Sequence, residues 1–368
     1  MTSNLNDLVK ISQKYGKDPD YVIAGGGNTS YKNNDYLWIK ASGTSLATIT
    51  EDGFAKMDRS CLNKIAEKKY STDPLKRETE IKEELHNCIV GDKSKRPSVE
   101  TSLHNLLEKS YVVHTHPTLI NGLMCAINSK EVTNELFGNE ALYVEYTDPG
   151  YVLFKLIEKR INEYKNKFKK EPQIIFLENH GVFVSADDTR KIDKIYSEIN
   201  QKINSRIETP LPPDANSTPH LEEEINILEK KTGMMARAYT SELIDLYVKD
   251  ATSFSKVNTA FTPDNIVYCK AHYLFSENQG EDIYSDYVDF EKKYGYPPRV
   301  IAVKEKGIIC IDENEKSVNT VNEVYLDILK ISFFSENFGG PRFMTEKQIE
   351  FIDNWEVENY RRKIAKKK

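Results

Sequence analysis

The segment YVVHTHP, residues 111–117, decides how this chain folds and what it can bind. Its apolar and β-branched residues predict a strand. On a strand, side chains two residues apart project from the same face, so His114 and His116 direct two imidazoles at one point. That arrangement is typical of metal ligands. Because the chain has only seven histidines in 368 residues, a chance pairing of two on one strand face is the weaker explanation.

Strand and helix patterns alternate around this segment, over residues 1–208. Further strands are predicted at residues 36–39, 174–177 and 182–184. Apolar residues at spacings of three and four predict helices between the strands, one of them carrying Val99, Leu103, Leu106 and Leu107. The pattern predicts a mixed α/β domain.

A Pro-rich linker, residues 209–216, interrupts the alternation, because three prolines in this window favour extended backbone. Beyond it, residues 217–368 read as a smaller C-terminal α/β region, with helices predicted at residues 221–231 and 234–248. A length of 368 residues suits this division into two domains.

The C-terminal region contains a weak internal echo of the first domain. Residues 298–310 align with residues 172–184, and each segment is followed by a helix with apolar residues in step. Few identities support the alignment, so a chance likeness of two strand-turn-strand-helix units stays open. If the echo is real, Lys306 takes the place of His180. The C-terminal region would then be a degenerate partial repeat without a metal site.

Composition excludes several classes of protein. The formal net charge of −6, without a basic stripe interleaved with aromatic residues, argues against a nucleic-acid binder. No leader is expected, and no apolar run reaches the roughly 18 residues that a membrane crossing needs. Scattered cysteines without a Cys-x-x-Cys pair predict reduced, mostly buried thiols rather than disulfides: Cys61, Cys88, Cys125, Cys269 and Cys310. We expect a cytoplasmic protein that binds neither nucleic acid nor membrane.

A third histidine completes the predicted metal site. His180 lies between two apolar strands, and Gly181 after it permits a tight bend or a close backbone approach. Alone, His180 would be an ordinary turn residue. Beside His114 and His116 it supplies a third imidazole, and three nitrogen ligands with one oxygen suit Zn²⁺.

Glu100 is a carboxylate near this constellation in the sequence. Ser98 can cap a helix that places Glu100 in its first turn, although a carboxylate there could also be simply solvated. His104 follows four residues later on the same helix face, and we expect it to pack or to support the site rather than to bind the metal.

Two polar turns offer backbone N–H groups to an anion. Residues 25–30, GGGNTS, and residues 40–45, KASGTS, lack the spacing of a dinucleotide or P-loop motif. Each alone could be a structural loop. Two such turns beside a metal site predict a phosphorylated substrate.

Taken together, these motifs resemble the class II aldolase/adducin family. The order Gly-Asn-Thr-Ser, Ala-Ser-Gly, Ser-x-Glu, His-x-His and Asn-His-Gly fits that family. Residues 25–32, 37–43, 52–55 and 99–104 are similar to the aldolase half of bifunctional rhamnulose-1-phosphate aldolase/lactaldehyde dehydrogenases, as are Thr262-Pro263-Asp264 and Lys270.

The resemblance implies a three-layer α/β/α domain around a mainly antiparallel sheet, assembled as a homo-oligomer. It implies one zinc per chain, or another divalent metal, held by His114, His116, His180 and Glu100, with Glu100 also as the base. Positions that would hold the substrate phosphate are Asn28, Ser42, Gly43 and Ser98. The family's acid residue is not assigned, and Glu145, Tyr146 and Tyr151 are candidates.

The predicted reaction is metal-dependent cleavage of a ketose 1-phosphate, L-rhamnulose 1-phosphate by resemblance, into dihydroxyacetone phosphate and L-lactaldehyde. Zn²⁺ would stabilise the enediolate and Glu100 would move the proton. The bifunctional relatives carry a dehydrogenase domain after this region, but here no dinucleotide fingerprint occurs, so we expect no aldehyde oxidation by this chain. Sugar-phosphate epimerisation or dehydration with the same metal set, or a non-catalytic adducin-like scaffold, remain as alternatives.

Overall fold

The computed structural model describes residues 2–215 and 217–354, which form two compact units. One unit comprises residues 2–124 and 129–205. The other comprises residues 125–128 and the described residues from 206 to 354. Residues 206–215 contain no helix or strand. The last part of the predicted C-terminal region, residues 355–368, lies outside the described residues.

The strands of the first unit are β1 (Asn28–Lys32), β2 (Tyr36–Lys40), β3 (Phe54–Asp58), β4 (Tyr111–Thr115), β5 (Leu142–Val144), β6 (Ile174–Leu177) and β7 (Gly181–Ala186). They form one sheet in the order β3-β2-β1-β4-β7-β6-β5. Every neighbouring pair is antiparallel except β5 and β6, which are parallel. The four strands predicted from the sequence all lie within this sheet.

Helices cover both faces of this sheet. They are α1 (Thr2–Gly16), α2 (Arg59–Glu67), α3 (Pro74–Asn87), α4 (Thr101–Leu106), α5 (Thr118–Met124), α6 (Ser129–Phe137), α7 (Tyr151–Phe168) and α8 (Thr189–Asn204). On one face, Val112 shares an apolar cluster with Phe154 of α7. On the other, the Thr115 hydroxyl lies 2.7 Å from the Tyr196 hydroxyl of α8. The predicted three-layer α/β/α class with a mainly antiparallel sheet is confirmed.

The second unit contains a smaller sheet. Its strands are β8 (Met235–Tyr239), β9 (Leu274–Ser276), β10 (Val300–Val303) and β11 (Gly307–Asp312), in the order β8-β11-β10-β9. Its helices are α9 (Glu222–Thr232), α10 (Glu242–Val248), α11 (Ala251–Phe254), α12 (Pro263–Cys269), α13 (Asp282–Tyr294), α14 (Glu315–Ser335) and α15 (Glu346–Asn354). The predicted C-terminal α/β region is confirmed as a smaller sheet-containing unit.

The prediction of one helix over residues 234–248 is wrong for its first half. Residues 235–239 form β8, where burial alternates and Ala236 and Ala238 face the interior. That period of two is the strand signature, and pairing with β11 satisfies the backbone. The helix α10 begins only after Ser241, whose hydroxyl accepts a hydrogen bond from the N–H of Ile244.

The prediction that all five cysteines are reduced is also wrong. Cys61 and Cys88 form a disulfide, while Cys125, Cys269 and Cys310 are free and buried. Asp58 brings the pair together, because its N–H donates to the Cys88 carbonyl and its carboxylate accepts from the Cys61 N–H. The Cα atoms then lie 5.5 Å apart, within disulfide range. A separation of 27 residues gives no sequence signal of this contact.

Helix length and polarity also bear on membranes. The longest described helix, α14, has 21 residues and contains charged side chains along its length. Within residues 2–215 and 217–354, no helix combines the length and apolar character required to cross a bilayer.

Candidate metal centre

The site is organised around His114, which is fully buried on β4. Its Nδ1 lies 3.0 Å from the Val182 carbonyl, and since a carbonyl only accepts, Nδ1 carries the proton. The ring stacks on Phe183, with centroids 4.0 Å apart. A hydrogen bond of this kind fixes the tautomer of a metal-binding histidine and leaves Nε2 as the ligand atom.

The other two predicted histidine ligands converge on that atom. The Nε2 atoms of His116 and His114 lie 3.1 Å apart. His180 occupies the tight turn between β6 and β7, where Asn179 adopts a φ of 52°. One ligand atom from each of the three histidines lies within 4.8 Å of the others, so this group could hold a metal ion.

Two glycines allow the backbone to approach the histidine strand. A Cβ on Gly181 would lie 2.5 Å from the Thr115 carbonyl oxygen and 2.8 Å from the His116 ring. A Cβ on Gly27, which has a φ of 65°, would lie 2.8 Å from the His114 carbonyl oxygen. Real Cβ atoms do not approach this closely, so both positions favour glycine for a steric reason.

Glu100 completes the constellation. Its Oε1 lies 3.4 Å from His114 Nε2 and 3.8 Å from His180 Nε2. The residue is buried, and Oε1 accepts no hydrogen bond within the described structure. An unpaired buried acceptor costs about 1–3 kcal/mol, so an oxygen left in this state among three imidazoles fits a cation ligand.

The helix prediction around Glu100 needs correction. Helix α4 begins at Thr101, so Glu100 is its N-cap residue and lies before the first turn. Ser98 does not cap the helix as predicted, because its hydroxyl instead accepts from the N–H of Glu100 at 3.2 Å. This local turn presents the carboxylate toward the histidines rather than along the helix.

Three of the separations within this group are those of atoms that can share one metal ion. Nitrogen and oxygen ligands at about 2.0–2.1 Å from a divalent ion such as zinc lie about 3.3 Å apart in a tetrahedron. The pairs His116–His114, His114–Glu100 and His180–Glu100 are 3.1, 3.4 and 3.8 Å apart, and the three histidine atoms all lie within 4.8 Å of one another. His114 is buried while His116 and His180 are partly exposed, so solvent can reach one side of the group.

The residues predicted to hold a phosphate lie around Glu100. The Asn28 amide nitrogen donates to the Glu100 carboxylate and lies 3.4 Å from the Ser98 hydroxyl. The Ser42 hydroxyl lies 3.4 Å from the carbonyl of Pro97, the neighbour of Ser98. Gly43 follows Ser42 with a φ of 85°. The two polar turns therefore meet beside the histidine group.

Sequence reasoning gave too little weight to a buried polar row on β1. Asn28, Ser30 and Lys32 alternate along the strand and share one face, and all three side chains bind the segment from Glu100 to His104. The Lys32 ammonium donates to the His104 carbonyl at 2.8 Å. Burial, and then the nearby Arg59 charge, lowers the Lys32 pKa to about 7. The sequence does not single out these three residues, because Thr29 between Asn28 and Ser30 is also polar.

His104 lies at the centre of this row and is fully buried. Its Nδ1 is 2.7 Å from the Ser30 hydroxyl, and its Nε2 contacts the Asn28 amide oxygen. Burial, with smaller contributions from His114 and Lys32, holds the His104 pKa well below its ordinary value. The imidazole is therefore neutral near pH 7, and it is not among the grouped metal ligands.

The role of Lys40 was also not predicted from the sequence. This buried residue donates from its ammonium to the carbonyls of Gly25 at 3.2 Å and Gly27 at 2.9 Å. The cation thereby fixes the glycine-rich turn from beneath. Its position at the end of the apolar strand β2, directly before the Ala-Ser-Gly turn, does not by itself predict that role.

The three candidate acid residues make contacts of their own. Glu145 forms an ion pair with Arg160. The Tyr151 hydroxyl donates to the Lys68 carbonyl at 3.2 Å. Tyr146 is largely buried, which raises its pKa, and its N–H donates to Glu178. The Tyr146 hydroxyl is buried and has no hydrogen-bond partner within the described residues. The acid role of these three residues stays a prediction.

Residues 6–198, which contain every side chain of the candidate site, match the class II aldolase and adducin N-terminal domain. The chain belongs to this family. The match ends within α8, so the family domain corresponds to the first unit of the structure.

Individual relatives differ in how much of the chain they cover. An uncharacterized oxidoreductase of Bacillus subtilis, YuxG, is 23% identical over 418 residues, covering 99% of this chain and 59% of YuxG. The chain thus spans less than two thirds of that relative. An L-fuculose phosphate aldolase of Methanocaldococcus jannaschii is 27% identical over 191 residues, covering 49% of this chain and 83% of the aldolase.

Solved structures include the N-terminal class II aldolase domain of a conserved protein from Thermoplasma acidophilum. That domain is 27% identical to this chain, with a TM-score of 0.47, and the match covers 56% of this chain and 94% of the domain.

Proposed function

We propose that this protein is a zinc-dependent class II aldolase that cleaves a ketose 1-phosphate. The observation that carries the proposal is the Glu100 carboxylate, whose buried Oε1 faces His114 and His180 without a hydrogen-bond donor. Family membership supports a lyase, and the three histidines supply the nitrogen ligands that zinc prefers.

His114, His116, His180 and Glu100 would hold the metal. A divalent ion bound by them supplies a Lewis acid that stabilises negative charge on the oxygens of the substrate. His114 is held for this role by its hydrogen bond to the Val182 carbonyl. The partly exposed side of the group leaves room for the substrate.

Glu100 is the proposed base. In the direction of synthesis, it removes a proton from the hydroxymethyl carbon of dihydroxyacetone phosphate, that carbon joins the aldehyde carbon, and a separate acid gives a proton to the aldehyde oxygen. In the direction of cleavage, the same separate group takes the proton from that hydroxyl, the carbon–carbon bond breaks, the aldehyde leaves, and protonated Glu100 returns its proton to the hydroxymethyl carbon. The separate acid is not assigned, and Glu145, Tyr146 and Tyr151 are its candidates. Its carboxylate is oriented for this by the amide of Asn28. A positioned acid or base typically contributes 10²- to 10⁴-fold to the rate.

Asn28, Ser42, Gly43 and Ser98 are proposed to bind the phosphate group of the substrate. They offer a carboxamide and two hydroxyls within one turn-rich region next to Glu100. Anchoring the phosphate there fixes the reacting carbons relative to the base, which converts binding into positioning.

The substrate proposed here is L-rhamnulose 1-phosphate, yielding dihydroxyacetone phosphate and L-lactaldehyde. Support comes from the motifs shared with the bifunctional aldolase/dehydrogenases and from a relative named as an oxidoreductase that matches along 99% of this chain. The L-fuculose phosphate aldolase relative makes L-fuculose 1-phosphate the first competitor to compare. We further propose a cytoplasmic homo-oligomer on the family resemblance alone, because the Cys61–Cys88 disulfide removes the support that five reduced cysteines gave to a cytoplasmic location.

The C-terminal unit is proposed to be a degenerate partial repeat, extending from about residue 217. It would serve packing, assembly or substrate closure and bind no catalytic metal. The region from 209 to 216 would act as the linker between the two domains.

Solvent exchange tests the aldolase proposal without requiring the aldehyde. The protein is purified without added metal, its metal content is measured, and dihydroxyacetone phosphate is incubated with it in D₂O. Exchange of one hydroxymethyl proton is expected, with loss on chelation and recovery when zinc is restored. A zinc-loaded protein that shows no exchange contradicts the aldolase and favours an epimerase, a dehydratase or a scaffold.

A further inference from the structure

The polar residues on one face of β1 form hydrogen bonds with the first turn of α4 and with Glu100, the residue before it. Asn28 binds Glu100, while Ser30 and Lys32 bind the side chain and carbonyl of His104. All three are buried. Burying three polar side chains on one strand face is unfavourable unless each is hydrogen-bonded, and here each is bonded to the same short segment. The arrangement therefore specifies the position of that segment.

The directions of these hydrogen bonds follow from chemistry. An ionised Glu100 only accepts, so the Asn28 group that faces it is the NH₂. The amide oxygen of Asn28 then faces His104 Nε2 and must receive a proton from it. A neutral imidazole carries one proton, so Nδ1 is an acceptor and the Ser30 hydroxyl donates to it.

We infer that His104 is a positioning residue that, through Asn28, holds the Glu100 carboxylate in its working orientation. The inference rests on the proposed function, because it assigns a role in that reaction. Ser30 selects the tautomer of His104, His104 fixes which end of the Asn28 amide faces Glu100, and Asn28 holds Oε2 so that Oε1 remains directed at the histidines.

A purely structural role for His104 would have different consequences. An apolar side chain of similar size could fill the space between β1 and α4. Such a side chain would donate no hydrogen bond to the Asn28 amide oxygen. The amide could then turn and place its oxygen against the Glu100 carboxylate, and the two oxygens would repel each other. Packing would survive that change, while the orientation of Glu100 would not.

The tautomer provides a test that needs no activity. In protein with ¹⁵N-labelled histidine, long-range proton–nitrogen correlation should show His104 protonated at Nε2 and bare at Nδ1. The signal is assigned by its absence in His104→Gln. In Ser30→Ala, the population protonated at Nδ1 should rise, because the hydroxyl that makes Nδ1 an acceptor is gone. A parent protein protonated at Nδ1 overturns the inference, whatever its activity.

Exchange of the dihydroxyacetone phosphate proton tests the consequence. His104→Leu should lower the exchange rate about 10- to 100-fold, the usual loss when a supporting hydrogen bond at a metal site is removed. His104→Gln keeps a donor for Asn28 and should recover most of that loss. Ser30→Ala should fall between them, and it alters a small side chain if His104→Leu does not fold.

Asn105→Ala is the matched control. Asn105 lies next to His104 on α4 and bonds Arg59 and Asn63 at 2.8 Å each, without a described contact to Asn28 or Glu100. It should lower the melting temperature and leave the exchange rate close to that of the parent. A rate that falls as far as in His104→Leu would assign the effect to helix packing and overturn the inference. A parent protein without exchange would instead overturn the proposed aldolase, and the tautomer result would still decide the hydrogen-bond chain.

Discussion

Two parts of this molecule share one strand plan, and within residues 2–215 and 217–354 only the first of them carries a candidate metal centre of three histidines. In the first unit, the β6–β7 hairpin pairs with β5 in parallel and with β4 in antiparallel fashion. In the second unit, the β10–β11 hairpin pairs with β9 in parallel and with β8 in antiparallel fashion. A helix follows each hairpin, α8 after the first and α14 after the second. The likeness includes the hairpin turns, where Asn179 and Glu305 have φ values of 52° and 57°.

The two units differ in a few side chains at matched positions and in the segment that precedes the paired strand. His114 is opposite Phe183 on β7, and Ala238 is opposite the equivalent Ile309 on β11. In the turns, His180 is matched by Lys306. Glu100 lies in the segment that precedes β4. Side chains of β1 position that segment by hydrogen bonds. The shape of the hairpin alone therefore does not supply the candidate metal ligands, which are side chains that the matched positions of the second unit lack.

Removing one proposed ligand should abolish zinc binding by the first unit, which is the property that separates it from the second. His116→Ala deletes an imidazole whose Nε2 is 3.1 Å from that of His114, and the side chain is partly exposed, so the fold should survive. Loss of even a supporting partner costs 10- to 100-fold in metal affinity, so loss of a ligand should exceed about 100-fold. The measurement is zinc per chain after dialysis, with circular dichroism as the check on folding. Full zinc occupancy in His116→Ala would rule out this ligand set.

The next largest effect concerns the base. Glu100→Gln keeps shape and packing but removes the carboxylate, so proton exchange into dihydroxyacetone phosphate should fall about 10²- to 10⁴-fold. Zinc should still bind through three histidines, with weaker affinity. Exchange at the parent rate in Glu100→Gln would leave the metal site in place and require a different base.

A smaller loss is expected at the phosphate. Ser42→Ala removes a hydroxyl next to the Ser98 turn, and a hydrogen bond to a charged group is worth about 1.5–3 kcal/mol, or roughly 10- to 150-fold in binding. The loss should appear in KM for the phosphorylated ketose, with zinc content unchanged. Ser45→Ala, in the same turn but outside the proposed site, is the control. Equal losses in the two variants would point to a disturbed loop instead of a lost phosphate contact.

Local patterns in the sequence predicted four strands of the seven-stranded sheet, β2, β4, β6 and β7, but not β1, β3 or β5. The His-x-His spacing identified β4 and the direction of two ligands, and apolar runs identified β6 and β7. The α/β/α class followed from the family resemblance. Local patterns were weaker over residues 235–239, because a short strand with alternating burial also fits the edge of an amphipathic helix.

Contacts between distant residues could not be predicted in the same way. The Cys61–Cys88 disulfide depends on Asp58 joining α2 to the end of α3, which no spacing reveals. The same is true of His104. Its spacing from Glu100 placed it near the site, but its partners Ser30 and Asn28 lie more than 70 residues away, as their separations of 74 and 76 show.

The smallest predicted effect is the one that defines the C-terminal unit. Lys306 occupies the turn position that His180 occupies in the first unit, and its backbone N–H bonds the Val303 carbonyl as that of His180 bonds Leu177. Lys306→Ala should therefore leave zinc content and proton exchange at parent values, and removal of a partly exposed turn side chain usually changes stability by less than about 0.5 kcal/mol. His180→Ala, made at the matched position, should lose zinc affinity and exchange together. The comparison needs both variants, because each alters one turn of the same shape and only one turn is proposed to carry a ligand.

If Lys306→Ala lowers exchange while zinc stays bound, the C-terminal hairpin contributes to the substrate site. If it lowers zinc content, a second metal site exists there and the unit is not a degenerate copy.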